Sequence, residues 1–535
     1  MAKGYRPVDR DQAFLLPPDM REWLPGSHPV WLVIEAVALL DTSAFHAGRR
    51  TGGAGAAGFD PDMLVTLLIW AYANQVTSSR RIERLCGQDV AFRVICAGDA
   101  PDHTVVARFR QQFAGAASSL FAEVLMLCAR LGMGKVGVVA LDGTKIAASA
   151  SAGASRTEGS LRRLAEEMAA GHAAADAEED ALFGDGRGDD DPGEPFTRRE
   201  RILAALASAR AERERREAGE RERAEGRVRA ARAGAPRAGR RPAAARVELA
   251  REHVALETAR QQARIGAWER RRAAGERAGR RPVPPQEHCR VRAAQARLDK
   301  ANAARAEREA AGAAGTAPAG EVIRRNVTDP GSRLMPVRGG GFIQGYNAQS
   351  ATSADGLIIA TRLTQDPGDV QWYQPMTRDA AAAAAALAAA GGGDPVIGLL
   401  LADAGYLSEG NLTCDGPDRL IATGKRHALE EAARAAGDGP PGEATDGAGE
   451  DEPPVIAAMA ARLATPEGIT AYRQRGHIAE TPHASIKHNL RLRQLSLRGH
   501  RRAEGEWTLA VTVHNLLTAI SSGHLTRQAL QALAT

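Results

Sequence analysis

The sequence predicts a mixed α/β chain with an all-α front part, a strand-built core whose strands end on acids, and a long helical insertion interrupting that core. Three observations predict it. Residues 10–130 alternate apolar stretches of helical period (29–40, 60–72 and 80–96) with turn signals. From residue 136 the texture changes. Residues 136–141 form a short β-branched run bounded by Gly134 and by Asp142-Gly143, and residues 341–350 and 356–363 flank the turn residues Ser353-Ala354-Asp355-Gly356 as a hairpin would. An alanine-rich helix is expected over 379–390, and a further strand over 396–402 stops at Asp403. Between the first strand and the hairpin, residues 155–326 are mostly Ala, Arg, Glu and Gly, too poor in large apolar side chains for a sizeable core. Their local signals are still helical: Leu161, Leu164 and Met168 share a face, and Thr197 with Glu200 makes a capping box.

A chain of 535 residues is long enough for two or three domains. The divisions expected are a helical domain over 1–130, an α/β core over 131–154 and 327–426, the insertion over 155–326, an acidic Pro/Gly-rich linker over 427–465, and a final core segment over 466–535. The net charge of +5 and the excess of arginine over lysine suit a phosphate-rich partner. The longest apolar runs, 30–40 and 63–72, fall short of the roughly twenty residues a membrane helix needs, so no membrane partner is expected. Residues 1–18 lack the pattern of an export signal, which predicts a cytoplasmic protein. The five cysteines are scattered without zinc spacing, and Gly132-Met133-Gly134-Lys135 lacks the spacing of a phosphate loop, so neither zinc nor a nucleotide cofactor is expected.

Residues 78–113 carry Arg80, Arg81, Arg84, Arg93, Arg108 and Arg110, with Pro101-Asp102-His103-Thr104 before a helix. Two readings stand side by side: a helix-turn-helix-like DNA reader using Arg80, Arg81, Arg108 and Arg110, or a helical bundle with solvated arginines. The insertion likewise reads as an arm that wraps DNA or a partner subunit, or as a solvated helix surface. It lacks the sustained heptad that a scaffolding role would need.

The chemistry-bearing candidates are acids at strand ends. Asp142 and Asp403 each follow an apolar strand, and adjacent parallel strands would bring two such distant carboxylates together. Two divalent ions about 3.5–4 Å apart, clamping the attacking and leaving oxygens of a phosphodiester, need such a convergence plus a third ligand. Glu480, in Tyr472-Arg473-Gln474-Arg475-Gly476-His477-Ile478-Ala479-Glu480, could supply it from a helix. His477, His483, His488 and His514 have no metal-ligand spacing and are expected to meet phosphate or solvent.

These residues resemble the DDE transposases of bacterial insertion sequences, whose catalytic domain is ribonuclease-H-like. The resemblance rests on Asp142-Gly143-Thr144-Lys145, on Thr328-Asp329-Pro330 leading to Gly345-Tyr346-Asn347-Ala348-Gln349, on Thr364-Gln365-Asp366-Pro367-Gly368-Asp369, and on Ala402-Asp403-Ala404-Gly405-Tyr406. The tail adds the family's tyrosine, arginine, glutamate and lysine signature as Tyr472, Arg475, Glu480 and Lys487. The resemblance implies a ribonuclease-H-like mixed sheet, two Mg²⁺ ions (Mn²⁺ substituting) on Asp142, Asp403 and Glu480, and Arg475 and Lys487 on DNA phosphates. Tyr472 would position the strand. Double-stranded DNA would be the partner, both the element's inverted-repeat ends and the target, within a homodimer or larger synaptic complex on the bacterial nucleoid. One departure stands out. Many relatives carry Val-Glu-Pro-Val-Phe-Gly around the glutamate, whereas this chain has Ala479-Glu480-Thr481-Pro482-His483-Ala484, which keeps open a catalytically impaired DNA-binding derivative. The Gly345-to-Gln349 segment is expected to build a strand and not to meet substrate.

Overall fold

The computed structural model describes residues 19–47, 58–168, 198–232, 243–275, 279–314, 323–337, 340–391, 393–424 and 454–534. Thr197, the Gly/Asp-rich 184–195 segment and the acidic stretch before Pro454 lie outside them. The chain divides into two compact units, Met1–Ala152 with Gly331–Thr535, and Gly153–Pro330. No single helix among the described residues is long and apolar enough to cross a membrane.

Among the described residues eight strands occur in chain order: β1 (Val138–Ala147), β2 (Ser155–Thr157), β3 (Arg324–Asn326), β4 (Arg333–Pro336), β5 (Phe342–Ser353), β6 (Ile358–Thr364), β7 (Leu399–Ala402) and β8 (Asp418–Ile421). The first unit is mixed α/β, around a six-stranded mixed sheet in which β4-β5-β1-β7-β8 run side by side and β6 also pairs with β5. The hairpin forms because Gly356 takes a left-handed φ of 84° in the turn between β5 and β6, a conformation that costs glycine little.

The strand expected to stop at Asp142 instead runs on to Ala147. The reason lies in its partners. Strand β5 is antiparallel to β1 along its length, with Asp142 opposite Ser350, whereas the parallel partner β7 pairs only over Val138–Ala140. Beyond Ala140, β1 therefore has a strand on one side and a notch on the other, closed at the far tip where Leu495 donates its backbone N–H to Ala147. The strand expected from 396 starts at Leu399, and Val396 is exposed. The alanine-rich helix begins earlier than expected, at Tyr373.

The helix His500–Ser521 buries Trp507, Leu509, Val513 and Leu516 against the sheet and the N-terminal helices. Its Asn515 side chain bonds both the N–H and the C=O of Ile358, satisfying backbone groups at the start of β6 that would otherwise be orphaned. At Gly505 the backbone of the preceding helical region comes so close that an added Cβ would lie 2.6 Å from Ala114 Cα, so the crossing tolerates no side chain.

A buried ion pair joins the same helix to the N-terminal segment. Arg110 donates to Glu506 at 2.9 Å, to the Tyr72 hydroxyl at 2.8 Å, to Ser496 and to the Thr77 carbonyl, with its side chain 7% exposed. Glu506 also accepts the backbone N–H groups of Ser496 and Leu497. Burial, and then Glu506, push the Tyr72 phenol well above its usual range, which keeps it a donor. This overturns the expectation for Arg110: its guanidinium is spent on interior carboxylate and carbonyl oxygens and is not presented to DNA. Arg80, Arg81 and Arg108 are exposed.

The second unit holds the helices Arg198–Arg232, Ala243–Ala273 and Cys289–Ala314, the middle one packed on both others, and the two-stranded β2-β3 ribbon. Its core is small: Leu161, Ala205 and Leu206 cluster with Ala165 and Val327, as the composition requires.

Glu506→Ala would leave the Arg110 guanidinium buried without its carboxylate. The expected cost is about 3–5 kcal/mol, read from the urea unfolding midpoint, and more than the loss from replacing both partners by leucine or methionine.

Candidate active site

Asp142 sits on β1 beside the notch and Asp403 follows the last residue of β7, so the two aspartates end up on neighbouring strands that run parallel. The third side of the notch comes from one helical stretch. Pro466–Arg475 is α-helical, Gly476–Glu480 a π turn, Thr481–Ala484 α-helical and Ser485–Asn489 again a π turn. Pro482 cannot donate to a regular ladder, and wide turns on either side absorb the misfit. They also rotate the face that Arg475, Glu480, His483 and Lys487 present.

Arg475 is the hub. Its guanidinium lies 3.0 Å from Asp142, 3.6 Å from Asp403 and 3.8 Å from Glu480, with the arginine side chain 12% exposed. Acids from three distant parts of the chain thus meet one cation. The Glu480 side chain is 60% exposed, the loosest of the three. Tyr472 donates its hydroxyl to the Ala402 carbonyl at 3.2 Å, which pins the end of β7 next to Asp403. Lys487 donates to Thr144 Oγ1 and to the Lys145 carbonyl at 2.8 Å. Burial lowers the Lys487 pKa, with Lys145 adding to the effect and Asp142 opposing it.

Two histidines depart from expectation. His483 is buried, its ring 3.3 Å from Asp142 and 3.2 Å from Ser350 Oγ, and His514 is buried against the Gly356 carbonyl. Neither faces solvent. Both lie on helical faces turned inward, which one-dimensional spacing could not reveal. Burial drives the His514 pKa down to about 4, so it stays neutral near physiological pH.

Two further groups that spacing did not single out belong to the neighbourhood. Asp369 lies next to Gly143 and Gly405, and Lys145 reaches Asp369 Oδ1 at 3.6 Å. Burial raises the Asp403 pKa; Arg475 opposes that rise, and repulsion from Asp142 and Asp369 adds to it. Among the described residues, the His, Cys, Asp and Glu set whose ligand atoms all lie within 4.8 Å of one another is His46, Asp60 and Asp62, at an exposed helix start remote in sequence from these acids. Asp142, Asp403 and Glu480 are instead spread around the Arg475 guanidinium.

Comparison with known families decides what these parts belong to. A family described as Transposase domain (DUF772) matches residues 18–112, and one described as Transposase DDE domain matches residues 454–518. Both matches are to transposase families, and together they support an insertion-sequence DDE transposase. The first match covers the N-terminal helices of the transposase. The second covers Tyr472, Arg475, Glu480 and Lys487, while Asp142 and Asp403 lie outside it. No curated protein and no solved structure matches the chain. DDE transposases as a family use divalent metals.

Two measurements test the electrostatics of this transposase's site. Arg475→Gln removes the cation that occupies the space between the acids. Mn²⁺ affinity of the DNA-free protein, followed by electron paramagnetic resonance, is expected to rise roughly tenfold. Asp403 has its folded pKa raised above the unfolded value, so the folded state holds the proton more tightly and stability falls as pH rises through that window. Asp403→Asn is therefore expected to raise the melting temperature at neutral pH in the absence of metal, and to leave it little changed below pH 4.

Proposed function

We propose that this transposase binds the inverted-repeat ends of its element, cuts the DNA there, and transfers the strand to target DNA, with the chemistry at Asp142, Asp403 and Glu480. The observation that carries the reading is the convergence of these three acids on Arg475 from β1, the end of β7 and the 466–489 helical stretch. A ribonuclease-H-like reading of the sheet is supported by its order and directions: an antiparallel β1-β5-β6 meander extended by β7 and β8 parallel to β1.

The donors fit a hard divalent cation. They are carboxylate oxygens, and the Arg475 Nε is buried with no hydrogen-bond partner, as a guanidinium held by charge more than by geometry would be. Two Mg²⁺ ions, or Mn²⁺ in their place, would be held by Asp142, Asp403 and Glu480 and would supply Lewis-acid activation of a phosphodiester. The chain's own groups do the rest. His483 and Ser350 fix the orientation of Asp142, and Tyr472 fixes the end of β7 that carries Asp403. Lys487 stands at the rim of the notch, on Thr144, where a phosphate could take over one of its donors. Arg475, released from the acids, would meet a neighbouring phosphate. The exposed Arg80, Arg81 and Arg108 would hold the DNA flank. Two DNA ends would be held in a homodimer or larger synaptic complex.

A second reading, a DNA-binding derivative without cutting, draws on the exposure of Glu480 and its altered neighbourhood. One experiment separates the two. End fragments taken from the DNA flanking the gene are incubated with protein and Mg²⁺, and nicking is followed on denaturing gels. Native protein is expected to cut, with Asp142→Asn and Asp403→Asn slower by roughly 100-fold or more. Equal cutting by both variants would reject the assignment, and binding without cutting by native protein would favour the second reading.

A further inference from the structure

Side chains alternate across β1, so Asp142 and Thr144 face one side of the sheet and Gly143 and Lys145 the other. The first side holds Arg475, His483 and Lys487. The second holds a polar assembly that the reaction scheme above leaves unused. Asp369 Oδ1 accepts the side-chain amides of Asn347 and Gln349, each at 2.6 Å, and lies 3.6 Å from Lys145 Nζ. Both amides come from fully buried positions on β5. Gln349 is itself oriented, because the buried Tyr406 hydroxyl donates to its Oε1, which turns the amide N–H groups toward Asp369. Burial first, and then Asp369, Asp142 and Asp403, hold the Tyr406 phenol far above its normal range, so it remains a donor.

Asp369 sits at the start of a short helical turn, yet its side chain makes no capping bond there. It is committed to the sheet. Its other oxygen borders the catalytic notch: a point at the missing Cβ of Gly405 is 3.0 Å from Asp403 Oδ1 and 3.2 Å from Asp369 Oδ2. Lys145, 18% exposed, has no partner besides Asp369 that the described residues supply, so a half-buried ammonium is left with donors unspent next to the acids. Its nearest electrostatic neighbours after Asp369 are Asp403 and Asp142. An ammonium so placed suits a phosphate oxygen, being a compact charge with three N–H donors.

We propose that Lys145 binds a DNA phosphate at the notch and that Asp369, braced by Asn347, Gln349 and Tyr406, is the positioning residue that aims it. This rests on the reading of Asp142 and Asp403 as catalytic. Phosphates would then be held from both faces of β1, by Lys487 on the face that carries Asp142 and by Lys145 on the other.

The test measures affinity for a short fluorescein-labelled DNA duplex over a range of KCl concentrations, with Ca²⁺ replacing Mg²⁺ so that no strand is cut. Lys145→Gln is expected to lower the slope of log affinity against log salt by about one and to weaken binding roughly tenfold. Lys145→Arg restores the slope. Asp369→Asn keeps the slope, lowers kcat for cutting in Mg²⁺ more than it changes KM, and adds nothing further when combined with Lys145→Gln. An unchanged slope in Lys145→Gln overturns the proposal. So does a loss of Mn²⁺ affinity in DNA-free Asp369→Asn, because Asp369 would then be a metal ligand. The slope needs no cutting, so a native protein that binds but never cuts would sink the catalytic reading while the slope still decides on Lys145.

Discussion

Gathering carboxylates in a partly dry notch creates a debt of positive charge, and the way this chain meets it shapes the whole site. Arg475 supplies the cation from within, at 3.0 to 3.8 Å from three acids. Burial raises the proton affinity of Asp403, and repulsion from Asp142 and Asp369 adds to that rise against the pull of Arg475. An internal guanidinium is a serviceable counter-ion for storage because it never loses its proton, yet it is also the residue type best shaped for phosphate. On the proposed function, the same side chain would hold the acids together without DNA and be drawn off by a phosphate.

The notch exists because neighbouring strands have unequal length. Strand β1 outruns β7 and beyond Ala140 is paired along its length with β5, with Leu495 closing its tip, so a notch is left on the flank that β7 does not cover. That arrangement asks β5 to be polar where it lies deepest. Asn347, Gln349 and Ser350 are all buried on a central strand, and each is used: two brace Asp369, Ser350 bonds His483, and the bond from Thr361 to the Gln349 carbonyl ties β6 to the same network. A partly partnered buried polar network is costly, and Asn347 Oδ1 already has no hydrogen-bond partner, so a substitution that orphans a further group on this strand is expected to destabilise the sheet.

The N-terminal helices are bound to this scaffold by a charged lock and not by apolar packing alone. Arg110 and Glu506 meet in the interior, and Glu506 at the same time fixes the backbone at Ser496 and Leu497, in the loop whose Leu495 closes the tip of β1. A displacement of the helix His103–Phe113 would be felt at the end of the strand that carries Asp142 and Lys145. The region matched by the N-terminal transposase family and the region matched by the DDE family are therefore mechanically continuous in the first unit.

Much of this could be read in one dimension. The β-branched run before Asp142, the turn at Gly356 and the short strand before Asp403 are local patterns that follow from backbone sterics and hydrophobic period, whereas Tyr472, Arg475, Glu480 and Lys487 were legible through their resemblance to a family signature. Spacing could not tell that β1 continues past its acid, because strand ends are set by partners hundreds of residues away. Nor could it tell that Arg110 turns inward, that His483 lies against Asp142, or that Asp369 and Lys145 join the site, since each depends on which side of a strand or helix meets which neighbour. The sequence by itself determined the elements and the family signature; tertiary structure alone decided which charges share a space, because electrostatic interaction depends on distance and burial in three dimensions and neither is encoded by position along the chain.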